Sequence, residues 1–330
     1  MTASIPHSVG KRKSETTVVK EDLIIMSRSK KTGMLTRKEF LQMSAGAFTV
    51  GMFGSRALGN FLQSSPKLSL GRSGIQVSPV CYGASRVQLP ALVRTVLERG
   101  VNYFDTGRDY LGGQNEVMLG EAIKSVRDQV VIQSKLNLRI RERGETLQSG
   151  GVSKRIAEQM NRSLEESLQA LQTHYIDILL VHHATSPEVL FHPAVLGFFR
   201  DAKASGKIRA CGFSTHNDNQ DVITKATEDP FFDVIMVPYN HKGAYIHSQS
   251  GRSAQWDQPW LEKHLQQLHN SGVGTVVMKT CSAGPLTINT TGSSNYRNAI
   301  QWVIAQNFID CAAVAMVTFE EINQNIPGAG

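Results

Sequence analysis

Four side chains in this 330-residue sequence could together move a proton: Asp105, Tyr110, Lys135 and His182. Three of them close short apolar runs, at 101–105, 130–135 and 177–182, and Tyr110 follows Asp105 by five residues. A phenol with a pKa near 10 donates a proton poorly at neutral pH unless its phenolate is stabilised. A neighbouring ammonium supplies that stabilisation, and a carboxylate paired with the ammonium fixes its position. An imidazole beside the phenol can hold a carbonyl oxygen in line. Taken singly, an aspartate at a strand end reads as a cap and a histidine as a structural residue. Four such groups at successive run ends read as one acid–base site.

The runs themselves imply the scaffold. Leu68–Leu70 and Ile75–Val77 flank a Gly-containing turn and predict a starting hairpin. Eight apolar runs then follow at 79–83, 101–105, 130–135, 177–182, 208–213, 233–238, 273–278 and 311–315. Amphipathic stretches separate them; Ile156, Met160, Leu164, Leu168 and Leu171, for instance, form one helical stripe. Eight strand–helix units after one hairpin predict a closed (β/α)8 TIM barrel of the α/β class. The rival, a doubly wound open sheet, lacks a G-x-G-x-x-G after its first strand. In such barrels chemistry sits at the C-terminal ends of the strands, where the four residues fall.

The sequence also resembles the aldo-keto reductases. The resemblance is carried by Asn102–Tyr110 (NYFDTGRDY), Asn115–Ala122 (NEVMLGEA), Val131–Lys135 (VIQSK), Ser167-Leu168 with Tyr175–His182 (YIDILLVH), and Gly206–Ser214 (GKIRACGFS). It covers roughly residues 67–326. It implies a nicotinamide-dependent oxidoreductase acting on an aldehyde, ketone or sugar, with no metal. Tyr110 would be the general acid, Lys135 and Asp105 its tuners, and His182 the residue orienting the substrate. His183 reads as a pocket wall or structural residue. For the cofactor, NADP or NAD, the resemblance implies contacts at Ser214, Thr215, Met236, Lys279, Thr318, Glu321 and Asn325. Three of these depart from the family pattern: Thr215 replaces an Asn, Met236 a Gln, and Lys279 a stacking aromatic ring. Glu321 stands where NADP-preferring members carry Arg or Lys, which leaves the choice of cofactor open. The chain stops at Gly330, so the C-terminal helix is expected to be short or truncated. A cofactor-binding but non-catalytic regulatory barrel is the alternative, favoured by Met236 and Lys279.

Composition excludes other classes. The net charge is +7, but residues 1–60 hold ten basic and four acidic side chains, which leaves the rest near neutral. A near-neutral body argues against nucleic-acid binding. Cys81, Cys211, Cys281 and Cys311 are widely spaced and read as buried structural thiols. A metal-dependent hydrolase on the same barrel would need His/Asp ligand clustering, which the sequence does not display.

Residues 1–33 read as a disordered basic leader and 34–60 as a signal segment, with the barrel at 67–330. Thr36–Leu41 (TRKEFL) resembles the twin-arginine export pattern, with Lys38 in place of its second arginine, and an apolar stretch follows from Met43 to Phe53. Export machinery is then an expected partner and the periplasm the expected location; an uncleaved cytoplasmic extension is the alternative. Arg139–Gly151, charged and Gly-ended, is read as a loop over the active-site face, either a substrate lid or a solvated insertion.

Overall fold

The computed structural model describes residues 67–138, 140, 146–216, 219–246, 253–282, 288 and 295–326. The expected leader and signal segment lie outside these residues, as do Arg139 and 141–145 of the expected lid.

Eight parallel strands close into a barrel. They are β3 (Val80–Gly83), β4 (Tyr103–Asp105), β5 (Val131–Asn137), β6 (Ile176–His182), β7 (Ile208–Ser214), β8 (Val234–Pro238), β11 (Gly274–Met278) and β12 (Cys311–Val314). Each pairs with its sequence neighbour in this set, and β12 returns to β3. All eight expected runs are therefore strands.

The strands are buried on both faces, which is why they read as continuous apolar runs rather than alternating ones. One face fills the barrel lumen with Cys81, Tyr103, Val131, Ile178, Leu180, Ala210, Val234, Met236, Val276 and Cys311. The other packs on helices through residues such as Phe104, Ile132, Leu179, Phe213, Ile235 and Val277. The two cores explain a chain with few alternating strands.

The starting hairpin, β1 (Leu68–Ser69) and β2 (Gln76–Val77), is antiparallel. Leu70, Ile75 and Val77 insert into the lumen cluster and so plug it. The plug seats closely because Gly71 has no Cβ: one would fall 2.3 Å from the backbone nitrogen of Gly274 at the start of β11. Its φ of +49° also favours glycine.

Outer helices include α1 (Pro90–Leu97), α2 (Gln114–Ile123) and α3 (Gly150–Ala170). They continue with α4 (Pro187–Leu190), α5 (Pro193–Ala204), α6 (Gln220–Glu228), α7 (Gln258–Asn270), α8 (Asn295–Ile304) and α9 (Phe319–Asn325). α3 starts at the Ser149 cap, whose hydroxyl accepts from the Val152 N–H, and buries Ile156, Met160, Leu164 and Leu168 as its stripe predicts. α9 opens on a capping box: Thr318 Oγ1 accepts from the Glu321 N–H, and the Glu321 carboxylate accepts from the N–H groups of Val317 and Thr318. A second hairpin, β9 (Ala244–Ile246) with β10 (Ser253–Gln255), was not expected from the sequence. No helix among the described residues is long and apolar enough to cross a membrane.

Candidate active site

β4, β5 and β6 carry the acid, the amine and the imidazole to the C-terminal mouth of the barrel. Asp105 is the last residue of β4 and is 4% exposed. Lys135 lies within β5, two residues before its end, and is 2% exposed. Its ammonium donates to Asp105 Oδ1 at 2.5 Å and to the Thr106 carbonyl at 2.8 Å. Asp105 Oδ1 also accepts from Gln133 Nε2 at 2.7 Å, and Gln133 Oε1 accepts from the Tyr103 hydroxyl at 2.6 Å. The pair is thus tied into a buried polar chain, the condition under which a desolvated ion pair is tolerated.

Tyr110 opens the short turn after β4, and the Lys135 ammonium sits 4.9 Å from its ring centre. Burial pushes the Tyr110 phenol above its ordinary value of 10, while the Lys135 ammonium pulls it down without fully offsetting burial. Burial also works against the Lys135 ammonium, but Asp105 and Tyr110 override it and hold Lys135 above its ordinary value. Lys135 therefore stays charged and Tyr110 stays protonated at neutral pH. The space beneath the phenol depends on Gly107, where a Cβ would lie 3.3 Å from the Tyr110 ring and 3.5 Å from Lys135 Cβ.

His182 ends β6 with its ring edge-on to Tyr110, centroids 5.6 Å apart. Burial, then Lys135 and the neighbouring His183 and His216, push its pKa down to about 2, so the ring is neutral. Its Nε2 is buried with no hydrogen-bond partner among the described residues. All four predicted groups are therefore brought together.

One cleft of about 450 Å³ joins Asp105 and Tyr110 to Met236, Lys279, Glu321 and Asn325. Sequence reasoning missed several of its walls, among them Arg86, Cys281 and Tyr296. Cys281 was expected to be buried; it is only half-buried, while the other three cysteines are buried. Met236 Sδ lies 3.4 Å from Gln133 Nε2, so the thioether leans on the buried chain beneath Asp105. Lys279 donates from Nζ to the His216 carbonyl at 3.0 Å and lies 3.6 Å above the Tyr245 ring. Burial lowers its pKa to about 8. Ser214 and Thr215 are fully buried at the end of β7, and the Thr215 N–H donates to the Met236 carbonyl at 3.0 Å. Thr318 serves as the cap of α9 and does not line the cleft, whereas Glu321 does both.

Three buried polar atoms fit a polar ligand here. Ser214 Oγ, Thr280 Oγ1 and Asn325 Oδ1 have no hydrogen-bond partner among the described residues; Thr280 and Asn325 line the cleft, and Ser214 ends β7 at the same mouth. Buried polar atoms are normally satisfied, so such orphans at one mouth fit an amide- and hydroxyl-rich group such as a nicotinamide dinucleotide.

Two further residues, read in the sequence only as part of the family resemblance, were given no role there. Glu116 on α2 is fully buried, accepts from Ser134 Oγ at 2.6 Å and pairs with Arg108 Nη1 at 2.5 Å. Burial raises its pKa against the pull of Ser134 and Arg108. Asn115 beside it accepts from Thr106 Oγ1 at 2.6 Å and donates to the Ala84 and Val87 carbonyls. These two lock the loops bearing Tyr110 and the first strand end. The signal was an Asn-Glu pair one residue after two glycines, in Gly112-Gly113-Gln114-Asn115-Glu116. The expectation that metal-ligand clustering is absent does not hold: His182, His183 and His216 bring their ring nitrogens within 4.8 Å of one another. His216 lies beyond β7, in a loop whose direction no periodicity reports.

The fold and site together define a hairpin-plugged parallel barrel with a carboxylate–ammonium–phenol–imidazole set at its C-terminal mouth. Residues 83–326 match the aldo/keto reductase family, and the chain belongs to it. The chain is 31% identical over 175 residues to the 6-dehydroglucose reductase of Novosphingobium aromaticivorans, covering 46% of this chain and 52% of that protein. It is 29% identical over 184 residues to the NADH-specific methylglyoxal reductase of Escherichia coli, covering 53% and 55%. The chain thus spans about half the length of these curated relatives. An aldo-keto reductase from Klebsiella pneumoniae, solved with NADP and acetate, superposes with a TM-score of 0.57 at 20% identity, covering 79% of this chain and 88% of that one. That likeness shows the fold.

Proposed function

We propose that this protein reduces a carbonyl carbon of an aldehyde, ketone or sugar, using hydride from NADPH or NADH. The observation that carries this reading is the convergence of Asp105, Lys135, Tyr110 and His182: Asp105 and Tyr110 line the cleft with Met236, Lys279, Glu321 and Asn325, Lys135 pairs with Asp105, and the His182 ring lies edge-on to Tyr110. The family membership and the relatives named as reductases support it.

When bound, the nicotinamide supplies the hydride. The protein's own residues then do four things. Ser214 Oγ, Thr280 Oγ1 and Asn325 Oδ1 offer hydrogen bonds to the cofactor. His182, neutral and with Nε2 unpaired among the described residues, donates to the carbonyl oxygen and fixes its position beside Tyr110. Tyr110 gives its proton to the oxygen as negative charge develops there. Lys135, held charged by Asp105, stabilises the phenolate left behind.

A specific observation favours the second reading, a barrel that binds cofactor without turning over. Met236 puts a weakly accepting thioether where the family offers an amide. Fluorescence titration with NADPH and NADH, followed by an aldehyde panel, separates the two. Binding with turnover supports the reductase, and binding without turnover moves the reading to the regulatory barrel.

We also infer, on the Thr36–Leu41 pattern, that the barrel is exported folded to the periplasm with its cofactor bound. A reporter fused to residues 1–66 that stays in the cytosol would remove this.

A further inference from the structure

Three imidazoles meet at the barrel mouth, and the reduction reading uses only one of them. His182 ends β6, His183 follows it, and His216 lies two residues beyond the end of β7. The rings of His182 and His183 have centroids 3.9 Å apart, those of His183 and His216 4.1 Å, and those of His182 and His216 5.6 Å.

This convergence is not what a strand end gives by default. Consecutive strand residues point to opposite faces. His183 instead takes a left-handed backbone, φ +55°, which turns its ring to lie beside that of His182. A non-glycine residue there is strained and persists where its surroundings impose it, most often at functional sites. Lys279, on the loop after β11, is also left-handed at φ +61°, and its ammonium holds the His216 carbonyl at 3.0 Å. The Nε2 atoms of His182 and His216 are both buried without a hydrogen-bond partner among the described residues. His182 is 7% exposed, so this nitrogen has given up water without gaining a hydrogen-bond partner among the described residues.

We propose that His182, His183 and His216 bind one divalent late transition metal, Zn2+ or Cu2+, with a coordination position left open beside Tyr110. All three ligands are imidazole nitrogens, which suit Zn2+ and Cu2+, whereas Mg2+ and Ca2+ take oxygen donors. Three protein ligands plus one open position is the arrangement of an accessible rather than a purely structural zinc site. The nitrogens lie within 4.8 Å of one another, and around one tetrahedral Zn2+ they would be roughly 3.3 Å apart. Side-chain rotation of His183, the exposed member, supplies most of that closure. Two ammonium groups face the cluster. Lys135 is paired with Asp105 at 2.5 Å, and the Lys279 ammonium donates to the His216 carbonyl at 3.0 Å.

His182 Nε2 is also the atom assigned above to the carbonyl oxygen, and one nitrogen cannot serve both. A bound metal therefore removes the His182 hydrogen bond that positions the carbonyl substrate. This consequence rests on the reductase reading, whereas the binding itself does not.

The test is titration of untagged, chelator-stripped full-length protein with ZnCl2 against a chromophoric chelator, with MgCl2 as the hard-cation control. The expected result is one Zn2+ per chain and no Mg2+. His183→Ala and His216→Ala should each weaken Zn2+ binding more than about 100-fold, beyond the loss caused by removing an outer-shell partner. Absence of stoichiometric Zn2+, or affinity that survives both substitutions, would overturn the site. Should either variant fail to fold, CoCl2 added to the wild type decides: intense low-symmetry visible bands support three-imidazole ligation, and the weak spectrum of hydrated Co2+ overturns it. In the aldehyde assay Zn2+ should slow reduction, and an unchanged rate at saturating Zn2+ would overturn this consequence. Absence of any reductase turnover would defeat the reductase reading while the metal titration stays readable.

Discussion

The Lys135 ammonium and the Asp105 carboxylate meet at 2.5 Å with both side chains almost wholly withdrawn from water. Breaking a buried pair leaves an uncompensated charge and typically costs about 3–5 kcal/mol. Lys135→Met leaves Asp105 with Gln133 Nε2 as its remaining donor in the pair's chain. Urea unfolding should show that loss for Lys135→Met, and a smaller one for Lys135→Met combined with Asp105→Asn. Additive losses would mean that the two charges are not coupled.

The Tyr110 phenol sets the alkaline limit of reduction. Burial raises its pKa, so the native protein keeps the proton to higher pH than free tyrosine does. Tyr110 donates only while protonated, so kcat/KM should stay level up to about pH 10 and fall above it. Lys135 pulls in the opposite direction, and Lys135→Met should move the residual limb higher still. A descending limb near pH 7 or 8 would contradict this assignment.

Glu321 lines the cleft and also closes the capping box of α9. Glu321→Gln keeps a side chain that can complete the box and removes the charge. Losing one repulsion of about 1 kcal/mol should shift the ratio of NADPH to NADH affinity roughly fivefold towards NADPH. Parallel fluorescence titrations measure it, and an unchanged ratio would mean that Glu321 does not meet the 2′-phosphate.

Gly212 in β7 lies where a Cβ would fall 2.0 Å from the Val234 carbonyl oxygen on the next strand. That contact is with backbone and cannot be relieved by turning a side chain. Gly212→Ala should therefore destabilise the barrel by about 3 kcal/mol or more, read as a lower urea midpoint. A wild-type midpoint would contradict the strand packing described here.

The barrel was legible in the sequence because strands buried on both faces leave continuous apolar runs. Their ends were less so. The run at 101–105 starts as a strand only at Tyr103, because Asn102 turns its side chain to the hairpin, accepting from the Ser78 N–H and donating to the Gln76 carbonyl. β5 runs past Lys135 to Asn137, because Leu136 and Asn137 pair with Val181 and His182. The β9–β10 hairpin was missed because its strands are three residues each and carry no clear alternation. In the site, the strand-borne groups Asp105, Lys135 and His182 were legible because a strand fixes where its end points. His216, in a loop, and the left-handed turn at His183 were not, since neither leaves a periodic trace.

On the proposed function, Tyr110 delivers the proton in a hydride transfer at this cleft. The most direct test of this is single-turnover oxidation of pre-bound NADPH or NADH by an aldehyde, for wild type and Tyr110→Phe. Equal cofactor affinity is expected, with a hydride-transfer rate lowered at least about 100-fold in the variant. A variant that transfers hydride at the wild-type rate would contradict it.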